Sequence, residues 1–286
     1  MRKFLLLSAL AMVLPALAET KLTQIVPGVW FHAGMCNTVI IEMKDYLVVV
    51  DSSMEQGARD TAAAAKSVSS KPVKYVLVTH HHGDHTDGDA FWTKSGAVTV
   101  AFSGVAEEMK RGAKEELPKQ IVAGDLFTLD DGQRRIEFHY FGYAHTRGDG
   151  WVYMPKEKVL CTGDAVLNGP MNYTGNANLK NWPGVIRRAQ QLDVAYVLPG
   201  HGGPAGKELL ERQAQFLIEL RGAVEKAVKD GKKLEDLVTL KDGKPVATSL
   251  VLPDSVKFYA SGMFYAMQVK DAYDEIAQGK PRGDLP

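Results

Sequence analysis

Val73 to His80 reads VKYVLVTH, and the chain continues as HHGDHTDG. A near-continuous apolar run of this length is the mark of a strand buried on both faces, which in practice means a parallel strand with helices beside it. Such strands open at their carboxyl ends into a crevice where polar groups can act. Four histidines and two aspartates occupy the eleven residues from Val78 to Gly88, directly at that end. The chain is therefore expected to be an α/β protein with a polar centre at one strand edge.

The rest of the chain reads in the same way. QIVPGVWFHA, NTVIIEMK and YLVVVDSS are short apolar runs separated by Pro27-Gly28, Gly34 and Lys44-Asp45, a meander of hairpins. GARDTAAAAKSV, Asp89 to Lys94 and the charged SGVAEEMKRGAKEEL have helical character. DLFTLDDGQRRIEFHYFG predicts two strands about Asp131-Gly132, and GWVYMPKEKVLCTGD a second hairpin. A helix around Val185 to Gln191 then precedes the strand VAYVLPGHG. From Pro204 helices are expected to take over, with a stop at Gly231. The closing helix is expected from an Asp254 or Ser255 cap to Gly279. Phe258, Met263, Phe264 and Met267 on it are expected to pack in the core, or to form the face of a homodimer.

The predicted domains are a leader at 1–18, a catalytic domain at 19–203 and a helical extension at 204–286 packed on it. Arg2 and Lys3, the apolar stretch Phe4 to Leu14 and the small-residue ALA at 16–18 form an export signal with no lasting membrane anchor. The expected location is periplasmic or secreted. Lys and Arg together number 34, equal to Asp and Glu, so no basic surface for nucleic acid is expected. The expected partner is a small-molecule substrate. Cys36 and Cys161 are the only cysteines, and their separation leaves a disulfide open.

His80 and His82 are two apart, so an extended backbone points both the same way. Asp84 and His85 follow the flexible Gly83. Three further residues lie beside small or turn-forming residues at the ends of strand-like runs: His145 in GYAHTRGDG, Asp164 in VLCTGDAV and His201 in VLPGHGG. These are seven nitrogen and oxygen ligands of the type divalent metals take, enough for two ions. His81 alternates away from its neighbours, and His32 and His139 lie in strand-like runs, so these three are expected to be structural.

THHHGDHTDG fits the HxHxDHxxG motif of the metallo-β-lactamase superfamily, and AHTRGD, CTGD and PGHG resemble its later ligand motifs in order. The resemblance spans Ile25 to Gly203. It implies an αββα sandwich with two metal ions at one edge, here followed by a C-terminal helical extension. It further implies that His80, His82 and His145 hold one metal, that Asp84, His85 and His201 hold the other, and that Asp164 bridges them. Zinc is the expected metal, though iron and manganese accept the same ligands.

Two such ions can share a water and lower its pKa toward neutrality, giving a nucleophilic bridging hydroxide. Asp84 would orient it or carry a proton to the leaving group. The expected reaction is hydrolysis of an ester, lactone, thioester or amide. The intact set with a bridging aspartate resembles the thioester hydrolases, lactonases and esterases of the family more than its β-lactamases, many of which carry a cysteine in that place. Cys161 is expected to face away from Asp164 and not to serve as a ligand. β-Lactam hydrolysis and sulfur oxidation at a single iron are the enzymatic alternatives, and a non-enzymatic metal-binding role is the third. For the substrate pocket, Trp30, Phe31 and Met35 are expected to form an apolar flap. In LNGPMNYTGNANLKNW, Asn172 or Tyr173 is expected to donate to an oxyanion.

Overall fold

The computed structural model describes residues 22–114 and 116–285, so the expected leader lies outside the described residues. Strands β1 (Leu22–Val26), β2 (Val29–His32), β3 (Thr38–Glu42) and β4 (Leu47–Val50) form the expected antiparallel meander. Helix α1 (Glu55–Val68) crosses to β5 (Val73–Leu77), which pairs parallel with β4. The short helices α2 (Gly83–Thr86) and α3 (Asp89–Lys94) lead to β6 (Val98–Phe102). Helix α4 (Ser103–Arg111) then leads to β7 (Gln120–Val122), completing a sheet in the order of the sequence.

A second sheet contains β8 (Leu126–Asp130), β9 (Arg135–Tyr140), β10 (Gly150–Met154) and β11 (Val159–Gly163), successively antiparallel. Helix α5 (Trp182–Ala189) carries the chain to β12 (Tyr196–Pro199), which pairs parallel with β11. Then come α6 (Glu208–Lys229), α7 (Leu234–Leu237), the hairpin β13 (Val238–Lys241) and β14 (Lys244–Thr248), and α8 (Tyr265–Gln278).

The side-chain alternation along the strands builds the layers. Val48, Val50, Leu77, Phe138, Val152, Cys161 and Leu198 face inward and close the core between the sheets. Their neighbours Leu47, Val49, Val76 and Val78 face outward and pack with Ala58, Trp92 and Met109 of α1, α3 and α4. On the other side, Trp151, Leu160 and Val197 meet Val185 of α5, Leu217 of α6 and Val269 of α8. The order is helices, sheet, sheet, helices, the αββα sandwich expected. A one-residue slip in a strand would exchange its two apolar faces, so the pattern fixes the register.

Three expectations are corrected. Helix α4 ends at Arg111 instead of running on to Leu117, and it buries Val105, Ala106 and Met109, so its face is only partly solvated. The region after 204 contains the β13–β14 hairpin as well as helices. The closing helix starts at Tyr265, after a single turn at Asp254–Val256. Gly262 at φ +76° interrupts the path between them, since a left-handed residue cannot continue a right-handed helix. Phe258 and Met263 are accordingly 53% and 81% exposed, not core residues. Among the described residues no helix is long and apolar enough to cross a membrane.

Candidate metal centre

The carboxyl ends of β4, β5, β11 and β12 and the loop between β9 and β10 meet at one rim of the sandwich. They bring Asp51, His80 to His85, Asp164, His201 and His145 together from five places in the chain. The seven residues picked from the sequence are all there.

His82 Nδ1 lies 3.0 Å from His80 Nε2 and 3.1 Å from His145 Nε2. Three imidazole nitrogens held about 3.3 Å apart is the spacing of a tetrahedral zinc with bonds near 2.0–2.1 Å. Asp164 Oδ2 stands 3.9 Å from His80 Nε2 and 4.0 Å from His145 Nε2, completing this first cluster. His201 Nε2 lies 3.1 Å from Asp84 Oδ2, and His85 Nε2 3.7 Å from the same oxygen. Asp164 reaches this second cluster too, with Oδ1 3.3 Å from His85 Nε2 and Oδ2 3.3 Å from His201 Nε2.

The donor set fits a metal pair on an independent ground. His85 Nε2 and Asp164 Oδ1 are fully buried without hydrogen-bond partners, although they face each other. With no proton between them these two buried atoms would be a costly pair of unpartnered lone pairs, which either a proton or a metal cation satisfies. Gly200 belongs to the same cradle: a Cβ there would meet Asp164 Oδ1 at 2.2 Å.

Electrostatics divides the triads. Burial pushes His80 and His145 well below the ordinary imidazole value and lowers His82, so all three are neutral and each keeps one lone pair to offer. Burial also disfavours a proton on His201, but Asp164 and Asp84 outweigh it and raise the group to about 10. His85 is likewise raised well above its ordinary value against burial, by Cys36, Asp164 and Asp51. Burial opposes the charge of Asp164, yet His85 and His201 hold it well below the carboxylate range. In the metal-free chain His85 and His201 thus hold protons against Asp164 and Asp84, and a metal bound by these residues would have to displace them.

That difference predicts a pH order. On acidification of the zinc-loaded chain, the second triad is expected to release its metal before the first. The second zinc equivalent is also expected to release more protons, as read by titration in weak buffer. In the metal-free chain the raised His201 contributes stability that is complete below pH 6.5 and lost as pH rises through about 10. Its thermal midpoint is expected to fall over that window.

The candidate ligands are held by residues that the sequence did not point to. Asp51, at φ +63°, accepts from Thr79 N at 2.7 Å, Thr79 Oγ1 at 3.0 Å and His85 Nδ1 at 2.8 Å. An aspartate closing the buried run YLVVVD was the available signal. Asp149 accepts from Thr146 N and Thr146 Oγ1 and from Ala144 N, folding the turn that carries His145. Asn176 Oδ1 accepts from His82 Nε2 at 2.9 Å. Cys36 Sγ lies 3.3 Å from His85 Nδ1, a neighbour the sequence did not suggest.

The substrate residues fare less well. Phe31 is buried in the core between the sheets, and Trp30 packs on the outer helical side of the same strand. Neither forms a flap, because both belong to the alternation of β2. Met35 is 74% exposed and lines a surface cavity of about 390 Å³ with His32, Cys36 and Met54. Asn172 is fully buried, its side-chain amide included, so in this arrangement it cannot reach a substrate oxyanion. Tyr173 does sit at the centre, its ring 5.3 Å from that of His82 and 6.4 Å from Phe264.

Cys36 and Cys161 are both buried free thiols, and Cys161 lies in the inter-sheet core, away from the ligands. His32 bonds Thr38 and Thr61, and His139 bonds Glu137. His81 is half-buried against His82, and burial lowers it to about 3.

The sequence model of the metallo-beta-lactamase superfamily matches residues 33–201. The chain belongs to that superfamily. Among its relatives, the metallo-beta-lactamase type 2 of Bacillus sp. (strain 170) is 25% identical over 209 residues, covering 66% of this chain and 79% of that protein. The 2,4-dinitroanisole O-demethylase subunit alpha of Nocardioides sp. (strain JS1661) is 29% identical over 173 residues. That match covers 59% of this chain and only 53% of the Nocardioides protein. A solved metallo-beta-lactamase from Pontibacter korlensis superposes with a TM-score of 0.64 at 26% identity, over 69% of this chain and 98% of that one. The DIM-1 metallo-beta-lactamase, at 23% identity and a TM-score of 0.62 over 69% of this chain and 96% of its own, shares the fold. Like other members of the superfamily, this chain carries a His/Asp cluster able to bind metal.

Proposed function

We propose that the chain is an exported, dinuclear metal-dependent hydrolase acting on an ester, lactone, thioester or amide. One observation carries the reading: two complete triads share the single carboxylate of Asp164. His80, His82 and His145 would hold one ion and Asp84, His85 and His201 the other, with zinc the expected metal.

When bound, the ion pair supplies an acidified water nucleophile and positive charge for the oxyanion that develops on the substrate. The chain does the rest. Low proton affinity keeps His80, His82 and His145 available as ligands, and Asp51 fixes the His85 ring. Asp84 is the ligand carboxylate most open to solvent, its side chain 30% exposed, while Asp164 is enclosed. The Asp84 oxygen turned away from His201 is placed to accept a proton from the nucleophile and hand it to the leaving group. Tyr173, with Phe264 beyond it, gives the entrance an aromatic wall that favours a substrate with an apolar group next to the scissile bond.

β-Lactam hydrolysis is the second reading, favoured by the names of the Bacillus and Pontibacter relatives. The zinc-loaded chain should be assayed against an acyl-homoserine-type lactone, an aryl ester, an acyl thioester, a chromogenic cephalosporin and an aryl methyl ether. The first three are expected to turn over, with activity abolished by Asp84→Ala. Turnover of the cephalosporin alone would favour the second reading, and turnover of none would overturn both.

A further inference from the structure

His82 differs from its partners in the first triad. His80 and His145 present Nε2 to the centre, whereas His82 presents Nδ1. An imidazole can offer Nδ1 as a lone pair only when its proton sits on Nε2, and a second hydrogen-bonding group decides that tautomer. Here that group is Asn176, whose Oδ1 accepts from Nε2 at 2.9 Å.

Asn176 lies in an irregular segment between β11 and α5, and the strands of the sandwich do not hold it. The β9–β10 loop supplies part of the hold, Ala144 O accepting from Asn178 N at 2.8 Å, and the C-terminal helix supplies the rest. Gln268 Nε2 donates to Asn172 O at 2.6 Å. Thr174 Oγ1 donates to Asp271 Oδ2 at 2.6 Å. Leu179 N and Lys180 N donate to the two carboxylate oxygens of Glu275, each at 2.8 Å. Just beyond the helix, Gly283 N donates to Ala177 O at 3.0 Å. These contacts bracket Asn176 on both sides.

Gln268, Asp271 and Glu275 stand at i, i+3 and i+7, one face of α8, and are 0%, 3% and 4% exposed. Apolar side chains there would pack α8 on the core without the cost of burying two carboxylates and an amide. Each of the three instead binds the segment that delivers Asn176 to His82.

We propose that α8 is a positioning element of the first metal triad: Gln268, Asp271 and Glu275 fix the loop, and Asn176 held in that loop sets the tautomer of His82. The proposal rests on reading His80, His82 and His145 as metal ligands, but not on any substrate.

The test uses the full chain and zinc alone, in competition with a chromogenic chelator. Asn176→Ala is expected to weaken the first-triad zinc about 10- to 100-fold while leaving the second equivalent in place. Asn176→Asp, which keeps an acceptor, is expected to restore most of the loss. A paired change on the clamp, Gln268→Met with Thr174→Val, is expected to weaken the same zinc by a smaller factor. Added to Asn176→Ala, it is expected to cause no further loss, because both act through one contact.

Losses that multiply, or wild-type affinity in Asn176→Ala, would overturn the proposal. Should the clamp variant fail to fold, nitrogen-15 spectra of the zinc-loaded wild-type imidazoles decide. A protonated Nε2 on His82 is expected, and a protonated Nδ1 overturns the assignment. A wild-type chain that binds no zinc would remove the metal reading itself, an outcome distinct from two bound zincs and a silent Asn176→Ala.

Discussion

Replacing Asp164 with alanine is expected to leave at most one zinc per chain and to cut hydrolytic turnover by about 10^3-fold, the scale of losing a principal charge-stabilising group. Among the described residues, Asp164 is the carboxylate that stands within 4.0 Å of both triads. It sits 3.3 Å from His85 and His201 through different oxygens and about 4 Å from His80 and His145. Its removal also takes away the anion that holds the protons on His85 and His201. Even the metal-free variant should therefore melt earlier than the metal-free wild type near neutral pH. Metal analysis after gel filtration, with melting in chelator, checks both parts. Two tightly bound zincs in Asp164→Ala would mean that the triads bind independently.

The second large effect is expected at Asp51, which need not touch a metal. It is 2% exposed and receives three hydrogen bonds, from Thr79 N, Thr79 Oγ1 and His85 Nδ1. Asp51→Ala strands two buried donors and leaves a raised, charge-prone His85 without its carboxylate. Removing one partner of such a buried pair costs about 3–5 kcal/mol. The backbone at φ +63° adds to the loss, because aspartate and asparagine tolerate that conformation better than alanine. A thermal midpoint lower by roughly 10 °C is expected, together with weaker zinc binding at the second triad. Asp51→Asn, which keeps one acceptor and the backbone preference, should fall between. A stable Asp51→Ala chain with unchanged zinc affinity would show that His85 is oriented by something else.

The candidate ligands were legible because their signal is local. HxHxDH is a contiguous run, and His145, Asp164 and His201 each follow a strand with turn-forming residues beside them. The strands were legible because alternate residues face two different apolar layers. What positions the ligands was not legible. Asp51 meets His85 across 34 residues, and Asn176 meets His82 across 94, and nothing in either neighbourhood names its partner. Trp30 and Phe31 misled for the opposite reason: adjacent aromatics read as a flap, while the pleat sends them to two different cores. In the last helix the apolar spacing runs through Gly262 without a break, so only the left-handed backbone there reveals where the helix begins.

In the proposed mechanism, two metals held by one shared carboxylate perform hydrolysis. The direct test is to strip the purified chain of metal and titrate zinc back, following bound metal and lactone or thioester turnover together. Two equivalents are expected to bind, with turnover rising chiefly with the second. Saturation at a single equivalent with full activity would contradict it, and so would two bound zincs with no hydrolysis of any tested substrate.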